Sequence, residues 1–145
     1  MMDVTTAAAD HPTGEVLATL TKPPISRYTL ALYCGASNDH NPIHVDLDFA
    51  RANGFDDVFA HGMLSMAYLG ELLTRLAGPD GIRSFSVRFS AIVPVGAEIT
   101  CSARHAGTVL RNGERLTALD LLAVDQNGET KLAGQALVAL RGEQA

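Results

Sequence analysis

The densest polar run in the sequence is Asn38-Asp39-His40-Asn41-Pro42-Ile43-His44-Val45-Asp46, and a second polar point follows at His61-Gly62. A carboxylate and an imidazole brought to one cleft can divide the two proton transfers of a reaction such as a hydration. Each exists in either protonation state near neutral pH once its surroundings shift its pKa. Asp39 and His44 are therefore the candidate acid/base pair. Pro42, between them, lacks an N–H and biases Asn41 away from helical angles, which predicts an extended or turning loop.

Two other readings of the same string stand beside this one. Aspartate and asparagine caps, an Asn-Pro turn and a surface histidine explain it with no chemistry at all, because turns favour the same residues. His40 and His44 have the i,i+4 spacing of a helical ligand pair, but Pro42 disrupts the helix that would align them and no HExxH occurs, so no metal is expected.

The elements that must position these residues are legible in outline. Glu15 to Thr21 reads as a strand stopped by Lys22-Pro23-Pro24. Ser26 is a candidate N-cap for a helix through Tyr28, Leu30, Ala31 and Tyr33 that loses its pattern between Gly35 and His44. Asp46 or Asp48 can cap a short helix ending at Asn53-Gly54. From His61 to Ala77 the sequence is apolar on most sides, the pattern of a core helix buried by its surroundings. Beyond Gly78-Pro79-Asp80-Gly81, four segments read as strands: SFSVRFSAIV, AEITCSARHA, RLTALDLLAV and KLAGQALVAL. They are separated by Pro94-Val95-Gly96, Arg111-Asn112-Gly113 and Asn127-Gly128. One early strand, a buried helix and a closing antiparallel meander predict an α+β architecture in which a curved sheet wraps a helix.

Composition bounds the rest. A chain of 145 residues with 47% apolar and 19% charged residues suits one packed domain over 14–145, with 1–13 as a frayed tail lacking the basic start and apolar run of a secretory leader. The net charge of −5 and scattered Lys and Arg argue against a nucleic-acid partner. The stretch from Gly62 to Ala77 carries Glu71 and Arg75 and falls short of the ~20 residues a membrane span needs. Cys34 and Cys101 have no CxxC or ligand spacing, which reads as a reduced pair in a cytoplasmic protein, neither of them the nucleophile.

Asp39-x-Asn41-Pro42-Ile43-His44, followed by Asp46, Ala50, Gly54-Phe55 and His61-Gly62-Met63, resembles the hydratase motif of the MaoC-like dehydratases, or (R)-specific enoyl-CoA hydratases. The likeness is close from Tyr28 to Leu73 and continues in SVRFSAIVPVGAEIT. It implies a hot dog fold, a long central helix wrapped by a bent antiparallel sheet, paired with a second copy or a related subunit. It also implies that a hydro-lyase without cofactor adds water reversibly to a trans-2-enoyl thioester of CoA, giving the (R)-3-hydroxyacyl product. By that resemblance the acid/base pair falls on Asp39 and His44, the supporting asparagine on Asn41 and the oxyanion-stabilising N–H on Gly62. A helix N-terminal N–H has both a free hydrogen and a favourable dipole for such a task. One departure is Asn38, where the family has glycine; asparagine tolerates left-handed angles better than most residues.

Other activities remain open at this stage. A dehydratase acting on an acyl-carrier-protein thioester would run the same chemistry in reverse, with Arg83, Arg88 and Arg104 as candidates for meeting phosphates. A hot dog acyl-CoA thioesterase and a non-catalytic acyl-binding subunit are the others. His61 reads first as a helix-terminal or structural residue. Gly70 costs about 1 kcal/mol relative to alanine within a helix, so either close strand packing or room for an acyl tail should explain it.

Overall fold

Asn112 and Gly113 take left-handed angles (φ 51° and 79°), which folds the longest strands, β3 (Thr100–Arg111) and β4 (Glu114–Val124), into a hairpin. The computed structural model describes residues 14–141, so the expectation of a tail over 1–13 lies outside the described residues. The other elements are β1 (Val16–Thr21), α1 (Arg27–Ser37), α2 (Leu47–Ala52), α3 (Gly62–Ala77), β2 (Ile82–Phe89) and β5 (Thr130–Val138).

The five strands form one antiparallel sheet in the order β1-β3-β4-β5-β2. The expected meander is thus correct for β3 to β5 and wrong for β2, which crosses the sheet and pairs with β5, Phe85 opposite Ala136 and Phe89 opposite Leu132. Strand boundaries move too: β2 ends at Phe89, four residues short of its expected end, and residues 90–99 form an irregular segment. That segment is fixed by Ala60 N–H donating to Val93 O and by Ser90 N–H donating to Lys131 O, both at 2.8 Å. In β3 the register shifts at Gly107 (φ 133°), and a bulge of this kind increases strand bending.

Helix α3 contacts all five strands. Leu64, Leu69, Leu72, Leu73 and Ala77 share a core with Ile99 and the alternating inward residues of the sheet, among them Cys101, Ala103, Leu119, Leu121, Leu132 and Val138, all buried. A curved sheet around a central helix is therefore what forms, but burial of α3 is one-sided. Met63 is 53% exposed and Ala67, Thr74 and Arg75 are open as well. No helix among the described residues is long and apolar enough to cross a membrane.

Candidate active site

Helix α1 starts at Ser26, whose hydroxyl accepts the Thr29 N–H, and stops at Asn38, which adopts φ 60°, ψ 18°. The asparagine that departs from the family pattern thus takes the left-handed conformation a glycine would take. The reversal turns the chain so that Asp39 N–H donates to Ser37 Oγ (3.2 Å) and Asp39 Oδ1 accepts the Asn41 N–H (3.3 Å). Asn41 Oδ1 in turn accepts the Ile43 N–H at 3.1 Å, capping a single 3₁₀ turn from Pro42 to His44. Pro42 opens that turn, where its missing N–H costs nothing. α1 runs on to Ser37, past the expected loss of its pattern at Gly35, while the loop expected between Asp39 and His44 forms and delivers His44 inward beside Asp39.

His44 is 8% exposed and its Nδ1 lies 2.7 Å from the Phe59 carbonyl oxygen. A carbonyl can only accept, so Nδ1 carries a hydrogen and the neutral ring keeps a lone pair on Nε2. Nε2 lies 3.9 Å from Asp39 Oδ2, whose side chain is 49% exposed. The candidate pair is therefore one buried, tautomer-fixed imidazole and one half-solvated carboxylate facing each other across a short gap. His40 is exposed and takes no part in this cluster.

Asp39, His44 and His61 gather ligand-capable atoms within 4.8 Å of one another, which raises the question of a metal. The rings of His44 and His61 are stacked, with centroids 3.8 Å apart and planes 25° apart. An ion bound by two imidazoles sits in both ring planes, about 2.0–2.1 Å from each nitrogen. Planes this far apart and this nearly parallel meet far beyond that distance, so the geometry suits ring stacking rather than joint coordination.

His61, which reads from sequence as a helix-terminal or structural residue, stands at the start of α3 inside the cluster. It is 1% exposed, precedes α3 as its N-cap without a side-chain cap bond, and packs edge-on against Tyr33 at 4.8 Å. Burial holds its imidazole below the ordinary histidine range, against the opposing pull of the Asp39 carbonyl. Cys34 Sγ lies 3.5 Å from His61 Nε2, a contact no spacing in the sequence signals. The second thiol, Cys101, is fully buried and pushed up to about 12 by desolvation, which makes it inert.

Gly62 is the first residue of α3, so its N–H has no acceptor within the helix. A Cβ there would stand 2.9 Å from the Phe89 ring, so the glycine keeps both the ring and the helix end in place. Gly62, Phe59, Phe89, Ile92 and Leu132 line a mostly apolar pocket of about 350 Å³ at the start of α3, and Phe59 also offers its carbonyl to His44. Gly70 is not a close-packing glycine: a Cβ would meet only Phe85 Cε1, at an ordinary 3.7 Å. Of the three arginines considered for phosphate contacts, Arg83 is held by both oxygens of Glu114 and Arg104 donates to Gly14 O, leaving Arg88.

A bent five-stranded antiparallel sheet around α3 defines a hot dog fold. Residues 7–125 match the MaoC like domain family, and the chain belongs to that family. Among its relatives is the (R)-specific enoyl-CoA hydratase of Rhodospirillum rubrum, 39% identical over 59% of this chain and 60% of that protein, so less than two thirds of that relative is matched. The (R)-specific enoyl-CoA hydratase of Aeromonas caviae is 32% identical over 77% of this chain and 83% of its own length. The solved structure of the A. caviae (R)-hydratase involved in PHA biosynthesis superposes with a TM-score of 0.74, covering 92% of this chain and 99% of that one at 27% identity.

Proposed function

We propose that this chain is a hydro-lyase that reversibly hydrates trans-2-enoyl thioesters, with Asp39 and His44 as a joint acid/base pair and Gly62 N–H as the donor to the thioester oxygen. The observation that carries the reading is the 3.9 Å separation of Asp39 Oδ2 and His44 Nε2 at the mouth of α3. Two acceptors bonded to one water lie roughly 4–5 Å apart at ordinary hydrogen-bond lengths, so a small opening of the gap admits a single water between them. Because Nδ1–H is spent on Phe59, both groups facing that water accept from it. Its two hydrogens then point at the pair and its lone pairs point away, toward C3 of the substrate.

In the forward direction, one member of the pair takes the proton of the attacking water while negative charge moves through C2 onto the thioester oxygen. A proton returned to C2 completes the addition, and elimination follows the same path backward. Charge developing on that oxygen is met by the uncompensated N–H and dipole of the α3 N-terminus, which are already oriented. Asn41 supports the reaction by building the turn that carries His44. No cofactor or metal enters any step.

The apolar pocket beside Gly62 suits the acyl portion. A second copy of the chain is the proposed partner, supported by β2 being an edge strand and by the exposure of Met63, Phe89 and Ile92 beside it. A cytoplasmic location agrees with the free, buried cysteines. The deciding experiment is a panel of enoyl thioesters on CoA and on acyl carrier protein, followed by absorbance loss, free thiol release and product configuration. Loss of enoyl absorbance with (R)-3-hydroxy product and no thiol release is expected. Thiol release without hydration would make the chain a thioesterase, and carrier-protein preference would favour the dehydratase direction.

A further inference from the structure

We propose that His61 is a positioning residue for the Asp39–His44 pair and that Ser65 holds its ring in one tautomer. The ring of His61 lies between two others, the edge-on Tyr33 at 4.8 Å and the stacked His44 at 3.8 Å. It therefore forms the floor on which the His44 ring rests, and it limits rotation of that ring about its bond to the chain. Its Nε2 lies 3.2 Å from the backbone carbonyl oxygen of Asp39. Because that oxygen only accepts, Nε2 carries the hydrogen, and one imidazole touches both members of the pair: His44 through its face and Asp39 through its N–H.

This assignment leaves His61 Nδ1 with a lone pair, and that atom is buried without a partner. The Ser65 hydroxyl is the second such buried atom, on a residue 0% exposed. His61 is the N-cap of α3 and Ser65 lies one turn into the helix, so both residues sit at the same end of α3. The two atoms are not bonded to each other in this structure, but a hydroxyl hydrogen and an imidazole lone pair are complementary, so one bridging water or a turn of the Ser65 hydroxyl satisfies both. The groups around His61 are Tyr33 and Cys34 from α1, Asp39 and His44. Burial disfavours a charge on the ring, which keeps Nδ1 an acceptor.

The activity arm rests on the hydration reading; the spectroscopic arm does not. Protein labelled with ¹⁵N-histidine should show His61 neutral with its hydrogen on Nε2 at about pH 7. Ser65→Ala should move the His61 Nδ1 resonance and lower kcat on crotonyl-CoA roughly three- to tenfold with KM unchanged within about twofold. His61→Phe, which keeps a ring under His44 but loses the N–H, should lower kcat at least about tenfold with little change in KM. A hydrogen on Nδ1, or an Nδ1 resonance indifferent to Ser65→Ala, overturns the Ser65 contact. A folded His61→Phe variant with wild-type kcat overturns the positioning role; if that variant does not fold, wild-type kcat in Ser65→Ala does so. Full hydration by Asp39→Asn would instead sink the hydration reading, while the spectra continued to report on His61.

Discussion

Asp39→Asn isolates the carboxylate because the amide is isosteric and its carbonyl oxygen can still accept the Asn41 N–H now bonded to Oδ1 at 3.3 Å. What changes is the atom facing His44. An acceptor that can take a proton becomes an NH₂ that can only donate, and it points at the Nε2 lone pair 3.9 Å away. The amide and imidazole can then bond each other and close the space meant for water. Loss of an acid/base group costs about 10²–10⁴ in rate, or about 3–5 kcal/mol of transition-state stabilisation. Stability should hardly move, since a half-exposed carboxylate facing a neutral ring contributes at most about 0.5 kcal/mol. The expected result is therefore a kcat on crotonyl-CoA at least about a hundredfold lower, a melting temperature within about 2 °C of wild type and a KM within about threefold. Loss of enoyl absorbance and a thermal melt on the same preparation are sufficient. A folded Asp39→Asn protein that hydrates at near the wild-type rate would refute the reasoning, because the amide cannot take up a proton.

Gly62→Pro deletes the proposed oxyanion donor at a helix position that tolerates proline, and Gly62→Ala controls for the crowding of Phe89; kcat should fall a further 10²–10³, roughly, in the proline variant, and equal losses would remove the N–H from the mechanism. A Cβ at Gly70 would meet only Phe85, so Gly70→Leu should depress activity on long acyl chains before short ones, whereas equal losses across chain length would leave a packing role alone. Lys131→Met breaks a buried pair with Asp125 (3.4 Å) and frees Ile92 O from a 3.0 Å bond, so thermal melts should show a drop of roughly 5–10 °C. Although burial pushes the Asp125 carboxyl up, the Glu129 and Asn127 N–H groups and Lys131 outweigh it and hold the carboxyl below its ordinary range. The stability it contributes is present above its unfolded pKa and lost as pH falls through the folded one. The gap between wild type and Lys131→Met should accordingly narrow on acidification below the ordinary carboxylate range, and a gap that widens there would contradict the pairing.

Local chemistry explains what could be read from the sequence. Pro42 and Asn38 announce a loop that must turn twice, and the structure uses both: one for a left-handed stop to α1, the other to open the turn that ends at His44. Ser26 and Asp46 cap α1 and α2 through their own side chains, a signal carried by a few adjacent residues. The place of β2 beside β5 was not legible, because alternating apolar residues mark a strand and say nothing about its neighbour. The same limit hid the contacts that complete the site. Phe59 offers His44 a backbone carbonyl, which any residue carries, and Cys34 reaches His61 only because α1 packs beside the start of α3. Lys131 stands at the start of an apolar strand with nothing in its spacing to name its partners, and its ammonium is buried against Asp125, Glu129 and the carbonyl of Ile92.

The unequal environments of Asp39 and His44 suit the roles proposed for them. A water held for attack needs two fixed acceptors, and an imidazole is a fixed acceptor only if its other nitrogen is occupied. That requires a buried carbonyl partner, and the Phe59 oxygen at 2.7 Å supplies it. Phe59 is itself held by its bridge to Pro94, and its neighbour Ala60 by the bond to Val93 O, so the orientation of His44 depends on the irregular segment after β2. The carboxylate has no tautomer to fix, and its half-exposed position leaves water a route to the gap. A helix that placed residues 39 and 44 on one face would bury both or expose both. A left-handed residue and a proline turn place one outside and one inside within five residues of chain, which is why the motif is built from loop formers rather than helix formers.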